Sequence, residues 1–186
     1  MTRAMGSTER TSERGPLARY LEEDHERLER LLDQAVADPA RFDHDAYARF
    51  RAGLLRHIGI EEKILLADAR RRRGGEPLPI ARDIRVEHGA IASLLVPTPD
   101  AALVGELRVL LAGHNPREEG PEGMYAVCEA LAGEEALQLL EQARAAPEVP
   151  MAKYFDGARA IRTAAEAMDT MKLLVTSARR DCMQSG

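Results

Sequence analysis

Apolar residues recur at every third or fourth position through most of this chain, in stretches broken by short polar, glycine or proline segments, so the pattern is helical throughout. Leu17, Leu21, His25, Leu28 and Leu32 share one face of a first helix. It begins at Pro16, a residue suited to a first helical turn, and ends near Ala37, ahead of Asp38-Pro39. Asp43 is placed to cap a second helix with the inner stripe Tyr47, Phe50, Leu54, His57, Glu61, Ile64 and Leu65. Its end is the basic turn Arg70 to Arg73 before Gly74 and Gly75, a charge run that complements the helix dipole and calls for no ligand. Pro77 and Pro79 lead into a third helix, with Ile84, His88, Ile91 and Leu95 inward and Pro97 at its end. Asp100 caps a fourth, in which Leu103, Leu107, Leu110 or Leu111, and His114 face in. Pro116, two residues past His114, predicts a kink or a new helix start.

Beyond it, Met124 to Ala132 and Glu134 to Ala145 read as helices on either side of Gly133. Pro147 to Pro150 reads as a linker, and residues 153 to 180 as a final amphipathic helix through Ile161, Ala165, Met168, Met171 and Val175. With no histidine and only scattered acids, this last segment is expected to serve packing or dimerisation. Residues 1 to 15, almost without apolar side chains, read as a loose tail.

Composition narrows the class. Aromatics are scarce and tryptophan is absent, while alanine, leucine, arginine and glutamate dominate, which favours an all-α protein over one with sheets. A length of 186 residues suits one domain with a substantial core. The net charge of −5 offers no footprint for nucleic acid or an anionic membrane. No signal sequence or apolar run of spanning length is present, and there are only two cysteines, so a reducing cytoplasm is expected. Cys128 reads as a small buried filler and Cys182 as part of a fraying tail. Nothing resembles a nucleotide loop or a nucleophile elbow.

The histidines carry the chemistry. His57 and Glu61 lie one helical turn apart on one face, where an imidazole and a carboxylate can share a metal. His-x-x-x-Glu-Glu recurs at His114, Glu118 and Glu119, and Asp24-His25-x-x-Leu28 reads like Glu87-His88-x-x-Ile91, as though one helical hairpin occurred twice. A lone histidine on an apolar face is usually a hydrogen-bonded core residue. Four in register on separate helices, beside two buried carboxylates, would be costly with nothing positive to bind. Four-helix bundles commonly hold paired metals between such side chains.

Glu118 has a second reading, as the capping-box acid of a helix begun by Asn115 and Pro116; its match to His57 and Glu61 favours ligation. Glu62 and Glu119 are expected to face away from the metal or to support its ligands, and Glu22, Asp24 and Glu87 to be solvated charges. Tyr20 and Tyr125 read as structural. His44 stands roughly 20 Å along the helix axis from His57, too far to share its site.

Over residues 17 to 130 these motifs resemble the hemerythrin-like, or HHE cation-binding, family. The resemblance implies an up-and-down four-helix bundle, here residues 16–132, with 133–186 as a helical extension packing on the bundle or on a partner. It implies a non-haem, oxo-bridged di-iron centre, in which His25 and His57 hold one iron, His88 and His114 the other, and Glu61 and Glu118 bridge. Manganese or zinc suits the same ligands. The oxygen carriers of the family have another histidine one turn after the third-helix one; here that position is Ala92. The glycines and prolines after Glu119 also depart from the family's usual Leu-Tyr-Pro ending.

Four histidines and two glutamates look more like the bacterial members implicated in repairing iron centres. The resemblance therefore implies binding of, or reaction with, O2, peroxide or nitric oxide in stress protection. An oxygen, iron or redox sensor or carrier, with a homodimer through the last helix, is the second class, and a metal-free helical interaction module the third.

Overall fold

Helix α1 (Pro16–Ala35) opens on Pro16, whose missing N–H is no loss at a helix start. Its cap comes from far along the chain: the Glu129 carboxylate accepts from the amides of Leu17 and Ala18 at 3.0 and 3.4 Å. Gly15 permits this approach, because a Cβ there would collide with that carboxylate. The computed structural model describes residues 14–184, with side chains to residue 177; the first thirteen residues of the expected tail and the Cys182 side chain lie outside the described residues.

Asp43 caps α2 (His44–Ile60), its carboxylate accepting from the amides of Asp45 and Ala46 at 3.0 and 2.9 Å. The rod then continues through a π-helical turn, Glu61–Leu65, into α3 (Leu66–Arg72). Here the Leu66 amide reaches back to the Glu61 carbonyl, one residue further than in an α-helix. The extra residue advances the phase, so Leu65 and Leu66 are both buried and Ile64, expected inside, is only half-buried. The rod ends at the basic turn and the glycines as expected.

α4 (Ala81–Leu94) and α5 (Ala101–Glu119) complete the four central helices, with Asp100 accepting from the Leu103 amide at 2.8 Å as the α5 cap. α5 runs through Pro116 to Glu119 as one helix, so the chain does not restart there from an Asn115 cap. Pro116 is exposed, on the side of the helix where water can serve the carbonyl it leaves unpaired. After Gly120 the chain reverses, the Gly123 amide bonding the Gly120 carbonyl at 2.8 Å, and α6 (Met124–Ala132) begins. α7 (Ala136–Arg144) follows a 3₁₀ turn, and α8 (Ala164–Gln184) is last.

The all-α expectation holds: no strand occurs among the described residues, and the helices form a bundle. None of the described helices is long and apolar enough to cross a membrane. α6 packs on α1, α3 and α5, α7 mainly on α1, and α8 along α4. The expected helix over 153 to 180 begins eleven residues late. Tertiary hydrogen bonds hold the preceding segment extended: Arg51 donates to the Ala152 carbonyl at 2.9 Å, the Phe155 amide to the Val96 carbonyl at 3.0 Å, and the Thr98 amide to Asp156 at 2.9 Å. On α8 the buried positions are Ala164 and Ala167, with Met168, Met171 and Val175 half-buried; Ala165, expected to face in, is exposed.

Two apolar clusters fill the bundle. One gathers Leu17, Leu21, Ile60, Leu65, Ile84, Met124 and Leu139, and the other Leu28, Leu32, Phe50, Leu54, Ile91, Leu94 and Leu107. Along α1, α2 and α4 a histidine falls between them, and on α5 His114 lies beyond the residues of the second.

Candidate metal centre

His25 lies between Leu21 and Leu28 on α1, His57 between Leu54 and Ile60 on α2, His88 between Ile84 and Ile91 on α4, and His114 beyond Leu107 on α5. One turn after His57 and His114 come Glu61 and Glu118, both 0% exposed. The structure brings all six residues together, as two overlapping donor sets. One is His25, His57, Glu61 and Glu118, the other His88, His114, Glu61 and Glu118, and within each the donor atoms lie within 4.8 Å of one another.

Each carboxylate spans the two sets. Oε1 of Glu61 is 3.2 Å from Nε2 of His57, and its Oε2 is 3.1 Å from Nε2 of His88. Oε2 of Glu118 is 3.6 Å from Nε2 of His25, and its Oε1 is 3.1 Å from Nε2 of His114 and 3.3 Å from that of His88. The capping-box reading of Glu118 falls away, since α5 is continuous and this carboxylate points into the core.

Every imidazole is steered by an acid on another helix. A carboxylate can only accept, so Nδ1 donates in each case: His25 to Glu119 at 2.6 Å, His57 to Asp24 at 2.9 Å, His88 to Glu62 at 3.0 Å, and His114 to Glu87 at 2.9 Å. The neutral ring then carries its lone pair on Nε2, facing the cluster. Glu62 and Glu119 thus hold the rings of His88 and His25 in place instead of facing solvent. Asp24 and Glu87, expected to be solvated, are corrected to the same role. They precede His25 and His88 by one residue, which turns them toward the next helix instead of away from the bundle. The signal was in the chain: each repeat has an acid just before its first histidine and just after its glutamate. Glu22 pairs outward with Arg14 at 2.5 Å.

Tyr125, expected to be structural, stands inside the cluster. Its hydroxyl donates to Oε1 of Glu61 at 2.6 Å and lies 3.0 and 3.1 Å from Nε2 of His57 and His25. No local pattern announces it, because it arrives only when the turn after Glu119 folds α6 back. Tyr20 remains at the periphery, under the Arg144 guanidinium, and His44 is exposed against Phe42.

Charge and unmet bonding capacity both fit a cation. Oε2 of Glu61, Nε2 of His88 and Oε1 of Glu118 are buried at 3.1 to 3.3 Å separations across His88, yet none has an aligned hydrogen-bond partner. Their lone pairs converge without meeting a donor, a costly arrangement unless a positive ion satisfies them. Burial opposes charge on His57, but Glu61 and Asp24 outweigh it and raise its pKa to about 10. Against the same burial, Glu118, Glu61 and Glu62 raise His88 to about 11, and Glu118 and Glu87 raise His114 to about 9. Burial would push Glu61 up, and His57 and His88 instead hold it well below the usual carboxylate range. The site is thus built for positive charge and, without a metal, takes it from protons.

Residues 17–142 match the family model of the hemerythrin HHE cation binding domain. The chain belongs to the hemerythrin HHE cation-binding family. No curated protein and no solved structure matches it. The match to the hemerythrin domain takes in all six histidine and glutamate donors, the four supporting acids and Tyr125, and ends within α7. A hemerythrin HHE domain with a buried His/Glu cluster of this kind suits cation binding.

Proposed function

We propose that this hemerythrin-like protein holds a pair of iron ions and binds or reacts with O2, peroxide or nitric oxide, in protection against oxidative or nitrosative stress. The observation that carries the reading is the sharing of both carboxylates, one oxygen of each facing either pair of histidines. His25 and His57 would hold one ion, His88 and His114 the other, with Glu61 and Glu118 between them. Imidazole and carboxylate donors suit iron, which supplies redox chemistry when bound; manganese or zinc fits the same donors.

The chain's own contribution is to orient and to shield. Asp24, Glu62, Glu87 and Glu119 fix the imidazoles, and the apolar clusters on either side keep bulk water from the pair. A cavity of about 330 Å³, lined by His25, Leu28, Leu32, Phe50, Leu54 and Leu111 among others, gives a small, weakly polar molecule a path to the His25 edge.

The test is the iron content of the reconstituted chain, followed by its absorption spectrum before and after peroxide or nitric oxide. Near two irons per chain and a spectrum that changes with either ligand are expected. Two irons with a spectrum indifferent to every such ligand would sink the reactive part of the reading, and no iron the whole of it.

A further inference from the structure

The six histidine and glutamate donors leave Tyr125 unexplained. Its side chain is 1% exposed, and its oxygen lies 3.1 Å from Nε2 of His25, 3.0 Å from Nε2 of His57, 2.6 Å from Oε1 of Glu61 and 3.3 Å from Oε2 of Glu118. Those four atoms make up one of the two donor sets. Within that set, His57 and Glu61 are 3.2 Å apart and His25 and Glu118 3.6 Å. The phenolic oxygen is therefore about as far from them as the members of these two pairs are apart, in a set whose donor atoms all lie within 4.8 Å of one another. Ligands bound at about 2.1 Å and at right angles stand about 3.0 Å apart. An atom at the centre of such a set would be nearer to all of them, so the oxygen occupies the position of one more member of the set.

The fold builds this position. Gly123 closes the turn after α5, since a Cβ there would lie 2.5 Å from the Glu118 carbonyl oxygen. One turn beyond Tyr125, Glu129 locks α6 to the start of α1. The other donor set has no counterpart: Ala92, one turn after His88, carries no donor atom, and no hydrogen bond among the described residues joins Tyr125 to His88 or His114.

We infer that the Tyr125 phenolate is a direct ligand of the metal held by His25 and His57, making the two metal positions chemically unequal. The inference rests on the two-ion reading above. On ligation the phenol O–H bond breaks, its proton leaves to solvent and an oxygen–metal bond forms, with no electron transferred.

Phenolate bound to iron(III) absorbs visible light by charge transfer, and excitation in that band enhances the ring vibrations of the bound tyrosine in the Raman spectrum. The full chain, Tyr125→Phe and the control Tyr20→Phe would be loaded with iron(II), oxidised in air, and assayed for iron beside the spectra. Wild type and Tyr20→Phe should show the band and the phenolate modes. Tyr125→Phe should lose both while keeping its iron.

Two irons in wild type with no phenolate modes, or modes that persist in Tyr125→Phe, would overturn the inference and leave Tyr125 as a hydrogen-bond donor to Glu61. Failure to take up iron would refute the two-ion reading and this one with it. The wild-type Raman spectrum decides even if the variant does not fold, because Tyr125 alone among the described tyrosines reaches the cluster.

Discussion

Asp24 and Glu87 make no contact with the inward donor atoms, yet each controls one through the ring between them. With the proton held on Nδ1, the imidazole keeps both its tautomer and its aim. Burial alone would raise the Asp24 carboxyl, but the bonds from His57 and Arg27 hold it at about 2, so this partner stays ionised through the neutral range. Replacing the acceptor by an amide permits the ring to turn or to take the other tautomer. Asp24→Asn and Glu87→Gln are each expected to weaken metal binding by about 10–100-fold, as measured by competition with a chelator. Glu26→Gln, on the solvent side of α1 and paired with Arg30, is the control. Acid variants that bind as tightly as this control would show the contacts to be incidental.

At the scale of the element, the turn from Gly120 to Gly123 decides whether α6 reaches the bundle at all. A methyl group on Gly123 would meet the Glu118 carbonyl oxygen at 2.5 Å and the Gly120 amide nitrogen at 2.8 Å, both main-chain atoms with little freedom to yield. Gly123→Ala should therefore cost about 1–3 kcal/mol in denaturant unfolding, the range for forcing extra volume into a packed site. If the inference on Tyr125 holds, the variant should also bleach the phenolate band. Unchanged stability would mean that the turn relaxes freely. The helix after this turn, Met124–Ala132, was legible from its own residues, but its place against the bundle was not. Helices α1 to α5 and their inward histidines follow from a 3.6-residue rhythm that local residues set, and Asp43 and Asp100 announce their own caps. The cap of α1 by Glu129, the π turn at Glu61 and the delayed start of α8 depend on partners that only the folded chain supplies, so no window of sequence contains them.

For the whole molecule, the two hairpins carry equivalent chemistry in a closed ring, in which each central helix supports the histidine of the next and α5 returns to α1. The later helices break that equivalence, α6 adding Tyr125 to one half and α8 covering α4 in the other. Such a ring stores its stability in whichever positive charge it holds. Without metal, His57, His88 and His114 have pKa values of about 10, 11 and 9, against about 6.5 in an unfolded chain. Between those values the folded chain keeps protons that the unfolded chain has released. Their contribution is thus complete below about pH 6.5, falls as pH rises, and is gone above about 11. Bound metal requires the neutral rings, so the loaded protein escapes this decline and binding should tighten with pH. Thermal unfolding at pH 6.5, 8 and 9.5, with manganese(II) or with chelator, is expected to show a falling Tm for the metal-free chain and a gap to the loaded chain that widens with pH. Metal at a hundred times its Kd adds about 2.7 kcal/mol, or about 5–11 °C for a chain of this size. A metal-free Tm that rose from pH 6.5 to 9.5 would mean that the imidazoles are already neutral in the empty fold, since only then does the unfolded chain bind more protons than the folded one.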